Sequence, residues 1–371
     1  MRILYGVVGE GMGHATRSRV TLTHLAEQGH TVKVVVSGKA HGFLVDAFSG
    51  VDNVTIEEIA GLRLVYDENE VKVRESIASN LSEAAEGFRR NVTAYQNLVG
   101  DFQAEAVLSD FESWAWYYGR KHRIPVISVD NMQVINRCAH DRFVTDSRSF
   151  DFRLARLAVK AKVPGCYHYL VSSFFFPPVR KPRTSLIPPI LRPEILAAER
   201  GPGDHILVYQ HGVEQRLPLL RQAPFSFRVY GANKDEVHGN VALRPFSQQG
   251  FIDDLRTARA VVAGGGFSLM GECVHLGVPL LALPIEGQYE QELNARYLQK
   301  LGYGRFTEEL TLDGLNAFVA GADAHQSALA DYQAQDNRVL LQAIDELLER
   351  IALGEPAPDV LQCPTLGDRW G

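Results

Sequence analysis

A chain of 371 residues exceeds what one ordinary core accommodates, and its 46% hydrophobic content can fill two α/β domains of about 150 to 200 residues each. A formal net charge of −6 gives no global basic field of the kind a nucleic-acid partner needs. The four cysteines, Cys138, Cys166, Cys273 and Cys363, are widely spaced without a Cys-x-x-Cys pair, so neither a disulfide framework nor a zinc site follows, and no metal is expected.

The N-terminus enters a buried strand, Ile3 to Val8, and then a glycine turn, without the apolar stretch and cleavage site of a signal peptide. A helix is expected from Thr16 to Gln28, with Gly29 as its stop. The β-branched run Thr31 to Ser37 reads as the next strand, and Ala106–Ser109 and Pro125–Val129 as two more, separated by a helix around Trp114 to Tyr118. The segment Glu75 to Val99 is expected to be helical and to border an acceptor pocket. Strand, helix, strand at this spacing implies a doubly wound parallel sheet.

Prolines 177, 178, 182, 188, 189 and 193 mark a joint, so an N-terminal domain over 1–180 and a linker over 181–200 are expected. Beyond it, His205–Tyr209, Phe227–Gly231, Ala260–Ala263 and Pro279–Pro284 repeat the strand pattern. Helix follows from about Ala324 to Leu353, which sets a second domain over 201–353 and a tail over 354–371, with a final helix that either stays in that domain or returns to the first. The most apolar stretch, Ala260 to Ile285, is interrupted by three glycines, Glu272, His275 and Pro279 and cannot be a lipid-facing helix. A cytoplasmic protein with two facing Rossmann-like sheets is the expectation.

Three motifs carry chemistry. Gly9-Glu10-Gly11-Met12-Gly13-His14 lies between a strand and a helix, where Gly11 and Gly13 let the backbone approach a ligand. A dinucleotide fingerprint would require glycine at position 14, and no acidic residue ends the second strand, which weakens a nicotinamide reading. His14 reads either as a base at the strand's carboxyl edge or as a residue packing the turn. The second motif, Val261 to Glu272, is a strand, a glycine loop and a helix start. Amides from Gly264, Gly265, Gly266, Phe267 and Ser268 suit a diphosphate, and Glu272 follows one turn later, placed to take ribose hydroxyls or to complement the helix dipole. The third, Pro284 to Ala295, brings Gln288, Glu290 and Gln291 beyond the glycine turn, where carboxylates and amides suit sugar hydroxyls or form an acidic helix start.

Together these motifs resemble the GT-B glycosyltransferases, near the peptidoglycan N-acetylglucosaminyltransferase and the UDP-glucuronosyltransferase-like enzymes. The likeness rests on the Gly-x-Gly-x-Gly-His loop, Phe251-Ile252-Asp253-Asp254-Leu255, the second glycine turn, Glu272, Gly277-Val278-Pro279 and Gln291-x-x-Asn294-Ala295. It implies a nucleotide base near Phe251 and Ile252, a diphosphate at Gly265 to Ser268, a ribose at Glu272 and donor-sugar hydroxyls at Glu290 and Gln291. Glutamate at 290 departs from the family's Asp-Gln pair. The likeness also makes His14 the acceptor-activating base, with Asp110 orienting it. Asp110 taken alone reads equally as a helix cap.

The resulting expectation is transfer of a sugar from a nucleotide-diphosphate donor, a UDP-sugar first and a dTDP-sugar next, onto a hydroxyl acceptor with inversion. The nucleotide sugar is a substrate, and no cofactor is expected. The acceptor would be a glycan, a lipid-linked molecule or a small molecule. Two alternatives stand beside it: a sugar-nucleotide 2-epimerase and a non-catalytic nucleotide-sugar-binding subunit. The stretch of Arg153, Arg156, Lys160 and Lys162 with Leu154, Leu157 and Val159, followed by Phe174-Phe175-Phe176, reads as a solvated helix and a strand entering the linker, or as a peripheral membrane contact.

Overall fold

The computed structural model describes residues 1–9, 11–61, 66–67, 70–71, 87, 91, 93–96, 102–146, 148–210 and 212–361. Glu10, most of the segment expected as helix over Glu75–Val99, His211 and the tail beyond 361 lie outside the described residues.

The first half alternates β1 (Arg2–Val7), α1 (Met12–Glu27), β2 (Thr31–Val36), α2 (Lys39–Ala47) and β3 (Val54–Glu58). A short ribbon, β4 (Tyr66–Asp67) with β5 (Glu70–Val71), precedes β6 (Ala106–Asp110), α3 (Ser113–His122), β7 (Val126–Asp130), α4 (Gln133–Arg137), α5 (Phe150–Lys162), β8 (His168–Ser172) and β9 (Thr184–Ile187). Seven of these strands form one parallel sheet in the order β3-β2-β1-β6-β7-β8-β9. Strands β6, β7 and β8 are buried along their whole length because both faces of the sheet are covered, which explains their unalternating apolar runs.

The second half runs α6 (Pro193–Leu196), β10 (Ile206–Tyr209), α7 (Leu217–Gln222), β11 (Phe227–Tyr230), β12 (Glu236–His238), β13 (Val241–Leu243), α8 (Gln248–Thr257), β14 (Ala260–Ala263), α9 (Phe267–Leu276), β15 (Leu280–Ala282), α10 (Tyr289–Lys300) and β16 (Gly304–Phe306). Three helices close the chain: α11 (Leu312–Ala320), α12 (Ala322–Ala330) and α13 (Arg338–Ala352). Its sheet has the order β12-β13-β11-β10-β14-β15-β16, parallel except for β12 against β13. The chain therefore contains two doubly wound α/β domains.

The boundaries differ from those expected. Thr184–Ile187, placed in the linker by its flanking prolines, is the edge strand of the first sheet. The last helix leaves the second domain: Leu340, Ala343, Ile344, Leu347 and Leu348 share a core with Ile3, Tyr5 and Leu25, and His24 Nε2 lies 2.8 Å from Asp345 Oδ1. Helix α1 begins at Met12 rather than Thr16. Its N-cap is Gly11 at φ 85°, which makes no side-chain cap bond, so no capping residue announces the start.

A second core is continuous across the two domains. It joins Leu4, Val107 and Phe174 of the first half to Val261, Met270 and Leu298 of the second. Helix α10 forms much of this seam. Phe175 stacks on Tyr297 at a centroid distance of 3.9 Å, Lys300 pairs with Asp141 at 2.8 Å, and the Thr145 and Tyr289 hydroxyls are hydrogen-bonded.

Candidate active site

In each sheet the chain reverses its winding direction once, between β1 and β6 in the first and between β10 and β14 in the second. Open α/β sheets hold ligands outside the carboxyl ends of strands at such reversals. The turn after β1 carries Gly11, the first turn of α1 carries Gly13 and His14, and Asp110 ends β6 in register with Val7. The loop after β14 carries Gly264 to Gly266. The two loops face each other at contact distance: a β-carbon added to Gly13 would lie 2.6 Å from Ser268 Oγ. A methyl at 13 would make the Ser268 hydroxyl turn aside, so the starts of α1 and α9 pack closely here.

His14 and Asp110 are brought together, with His14 Nδ1 2.9 Å from Asp110 Oδ1. The His14 side chain keeps 19% exposure while that of Asp110 keeps 1%, so the imidazole is the member open to a substrate. Burial first and the neighbouring Arg17 charge next hold His14 below the ordinary histidine range, against the pull of Asp110. The ring is thus neutral at pH 7 and can accept a proton. Burial alone would raise the Asp110 carboxyl, but the Arg17 charge and the hydrogen bonds from Arg17 and His14 overcome it and keep Asp110 ionised. Asp110 does not cap α3. That role belongs to Glu112, which accepts from the Trp114 and Ala115 amides at 2.8 and 2.6 Å.

Two polar residues that sequence reasoning missed complete this half. Arg17 donates from Nε to Asp110 Oδ2 at 2.8 Å and from Nη1 to Asn131 Oδ1 at 2.6 Å, and its Nη2 also meets Asp110 Oδ1. Asn131 then donates to Glu290 Oε1 of the other domain at 2.7 Å. The only sequence signal was a polar face on α1, where Arg17, Ser18 and Thr21 are buried among Ala15, Val20 and Leu22. Buried polar residues of this kind require partners.

On the second domain, α9 starts at Phe267 after Gly266, and no side chain caps it. Its first amides have no partner within the helix and point toward the cleft end of β14, an arrangement that suits an anion. Gly265 is needed for packing as well. A β-carbon on Gly265 would lie 2.4 Å from the Gln291 carbonyl oxygen, and the Gly265 amide already donates to Gln291 Oε1 at 3.1 Å. Gln291 also accepts from the Ile285 amide at 3.1 Å and donates to Gln288 Oε1 at 2.6 Å, so it braces the glycine loop. Glu290 accepts from Asn294 at 2.6 Å besides Asn131, and Asn294 reaches back to the Gly265 carbonyl at 3.1 Å. Burial pushes the Glu290 carboxyl up to about 7, opposed by Asn294, Arg17 and Asn131.

The remaining candidates sit deeper than expected. Both oxygens of Glu272 take the Arg192 guanidinium, at 2.7 and 2.8 Å, in a buried pair between α9 and the interdomain segment. A ribose there would have to share this carboxylate with Arg192. Phe251 and Ile252 are core residues of α8, with Ile252 at 1% exposure. The accessible ring beside them is Tyr209 at the end of β10, 5.5 Å from Phe251 between centroids. Among the described residues, no group of three or more histidine, cysteine or acidic side chains is placed to hold a metal ion.

Residues 1–322 match the model of a family described as Glycosyl transferase family 1. An uncharacterized glycosyltransferase of Methanosarcina mazei is 26% identical over 336 residues, covering 82% of this chain and 85% of that one. One from Methanosarcina acetivorans is 24% identical over 330 residues, with the same coverage. Among solved structures, a UDP-glucosyltransferase from Polygonum tinctorium superimposes with a TM-score of 0.65 at 14% identity, covering 94% of this chain and 98% of that one. LpCGTa in complex with UDP does so with a TM-score of 0.64 at 15% identity, covering 95% and 99%. These relatives give the epimerase alternative no support. With a family match over most of its length and two facing doubly wound domains, the chain belongs to glycosyl transferase family 1 and is a glycosyltransferase of the GT-B type.

Proposed function

We propose that the protein transfers a sugar from a UDP-sugar to a hydroxyl acceptor with inversion at the anomeric carbon. The observation that carries this reading is the pairing of a neutral, accessible His14 with a buried, ionised Asp110, across the cleft from the uncapped start of α9. His14 Nε2 takes the acceptor's proton as its oxygen attacks the anomeric carbon. The bond from that carbon to the diphosphate breaks on the opposite face, and UDP leaves with the electron pair. Asp110 steadies the imidazolium, and the α9 amides from Gly266 to Ser268 receive the charge that develops on the diphosphate. Glu290 and Gln291 stand beside that loop as the groups for sugar hydroxyls. The UDP complex of a chain with the same fold supports uridine as the nucleoside of the donor.

Incubation with a panel of UDP- and dTDP-sugars and phenolic or alcoholic acceptors tests the reading. The expected product has the anomeric configuration opposite to that of the donor by NMR, and retention would overturn the mechanism.

On the acceptor side we propose peripheral contact with an anionic membrane. Phe143, Phe150, Leu154 and Leu157 are all exposed, and Arg153, Arg156 and Lys160 lie on the same helix in a chain that is acidic overall. No helix among the described residues is long and apolar enough to cross a membrane. Sedimentation with phosphatidylglycerol vesicles, but not with phosphatidylcholine vesicles, is the expected result. It should disappear in Leu154→Glu/Leu157→Glu.

A further inference from the structure

His14 Nδ1 has two neighbours that make incompatible demands. Asp110 Oδ1 lies at 2.9 Å and Arg17 Nη2 at 2.7 Å. A guanidinium only donates and a carboxylate only accepts, so a neutral ring satisfies one of them at a time. With Nδ1–H given to Asp110, the Nε2 lone pair faces the acceptor. With Nδ1 accepting from Arg17, the proton sits on Nε2 and the base is disabled.

The guanidinium also decides how Asn131 is turned. Because Arg17 Nη1 donates to Asn131 Oδ1, the amide nitrogen must point the other way, and it meets Glu290 Oε1 across the cleft. A single buried fork thus holds both oxygens of Asp110 and, through Asn131, the carboxylate beside the donor loop. Asp110 takes Nε on one oxygen and Nη2 on the other, so the Nη2 hydrogen goes to the ionised carboxylate although the ring nitrogen is also within reach.

We propose that Arg17 is the positioning residue of this site: its fork fixes Asp110 so that His14 keeps the reactive tautomer, and it orients Asn131 against Glu290. The inference rests on His14 being the base. The charges acting on the ring are Arg17, Asp110 and Lys162 of α5. Asp130 and Tyr5 act on Arg17, and Glu290 faces it through Asn131.

Long-range proton–nitrogen NMR of the imidazole rings in the full chain reports tautomer and titration midpoint without any substrate. His14→Gln assigns the signal by its loss. The wild type should show one tautomer, with hydrogen on Nδ1, and a midpoint below the ordinary histidine value of about 6.5. In Arg17→Met the midpoint should rise from its wild-type value, because the Arg17 charge is gone while burial and Asp110 remain, and the ring should show a mixture of tautomers because nothing fixes Asp110. A midpoint that stays put, or one unchanged tautomer, overturns the proposal. Should Arg17→Met not fold, Arg17→Lys carries the test. An ammonium cannot span both Asp110 oxygens and Asn131, so a mixture of tautomers is expected, and one unchanged tautomer overturns the proposal. Turnover of His14→Ala separates the two levels. If that variant stays active, the base assignment fails. If it is inactive while the Arg17 variants leave the ring unmoved, only the role of Arg17 fails.

Discussion

The two glycine loops occupy equivalent places in two equivalent sheets, yet what stands behind them differs. Behind Gly11 and Gly13 lies a buried charged unit of Asp110, Arg17 and His14, with Asp130 next to it. Behind Gly264 to Gly266 lie the neutral amides of Gln291 and Asn294. The difference follows from the two halves of the proposed reaction. Moving a proton needs an ionisable ring held by an ionised partner, whereas a diphosphate is held by backbone amides and a helix end that cost no side-chain ionisation. The two acidic side chains near the second loop are tied outside their own domain, Glu272 to Arg192 of the interdomain segment and Glu290 to Asn131 of the first domain. Both carboxylates therefore join the second domain to the rest of the chain.

Removing the ring should break the comparison most visibly. His14→Ala is expected to lower turnover by about 100-fold to 10,000-fold, the range of a lost general base, while UDP affinity measured by calorimetry stays nearly unchanged. If UDP binding collapsed as well, the first loop would be a second phosphate site and the division of labour would be wrong.

Glu272→Ala sharpens the other side. The variant leaves the Arg192 guanidinium buried without its partner, and such a loss costs about 3 kcal/mol of stability. Denaturant unfolding should show this loss, and Arg192→Ala should recover part of it in the double variant. Full stability in Glu272→Ala would mean that the pair contributes nothing and that the carboxylate is held for ligand alone. Gly265→Ala comes next in size. Its methyl would meet the Gln291 backbone, so the loop must shift, and UDP affinity should fall about 10-fold with little change in fold. Unchanged affinity would remove the loop from the donor site.

Both sheets and both glycine loops were legible because strand, glycine turn and helix are local patterns with fixed spacing. The pairing of His14 with Asp110 came from the family resemblance, since nothing local joins residues 96 apart. Arg17 escaped notice because its partners at 110 and 131 are distant in sequence and its own helix position looks ordinary. Strand β9 was hidden by the prolines that flank it, and β12 is an exposed edge without an apolar pattern. The amphipathic pattern of α13 announced a helix but could not say which domain its apolar face would join. Phe251 and Ile252 show the same limit. Their motif was readable, whereas their burial beneath Tyr209 and Tyr230 depends on β10 and β11.

The smallest expected effect concerns Glu290, an acidic group of the second domain that is bonded to Asn131 of the first. Burial raises the Glu290 carboxyl to about 7, above its value in an unfolded chain, near 4.5. A carboxyl whose folded value is raised binds more protons in the folded state through this window, so stability falls as pH rises from about 4.5 to about 7. Above 7 the charge is held in full, eased by Asn131 and Asn294. Glu290→Gln keeps the shape and an accepting oxygen but cannot ionise. Relative to the wild type it should therefore gain stability with rising pH, by about 1 kcal/mol between pH 5 and pH 8. Urea midpoints at the two pH values, with equal slopes for both proteins, measure the difference, and other titrating groups cancel because both chains carry them. A constant difference across the range would mean that Glu290 titrates as an ordinary carboxyl and is already ionised at pH 5. A difference of opposite sign would mean that the Arg17 charge, reaching it through Asn131, outweighs burial, and that the two halves of the site are coupled more tightly by charge than the hydrogen bonds imply.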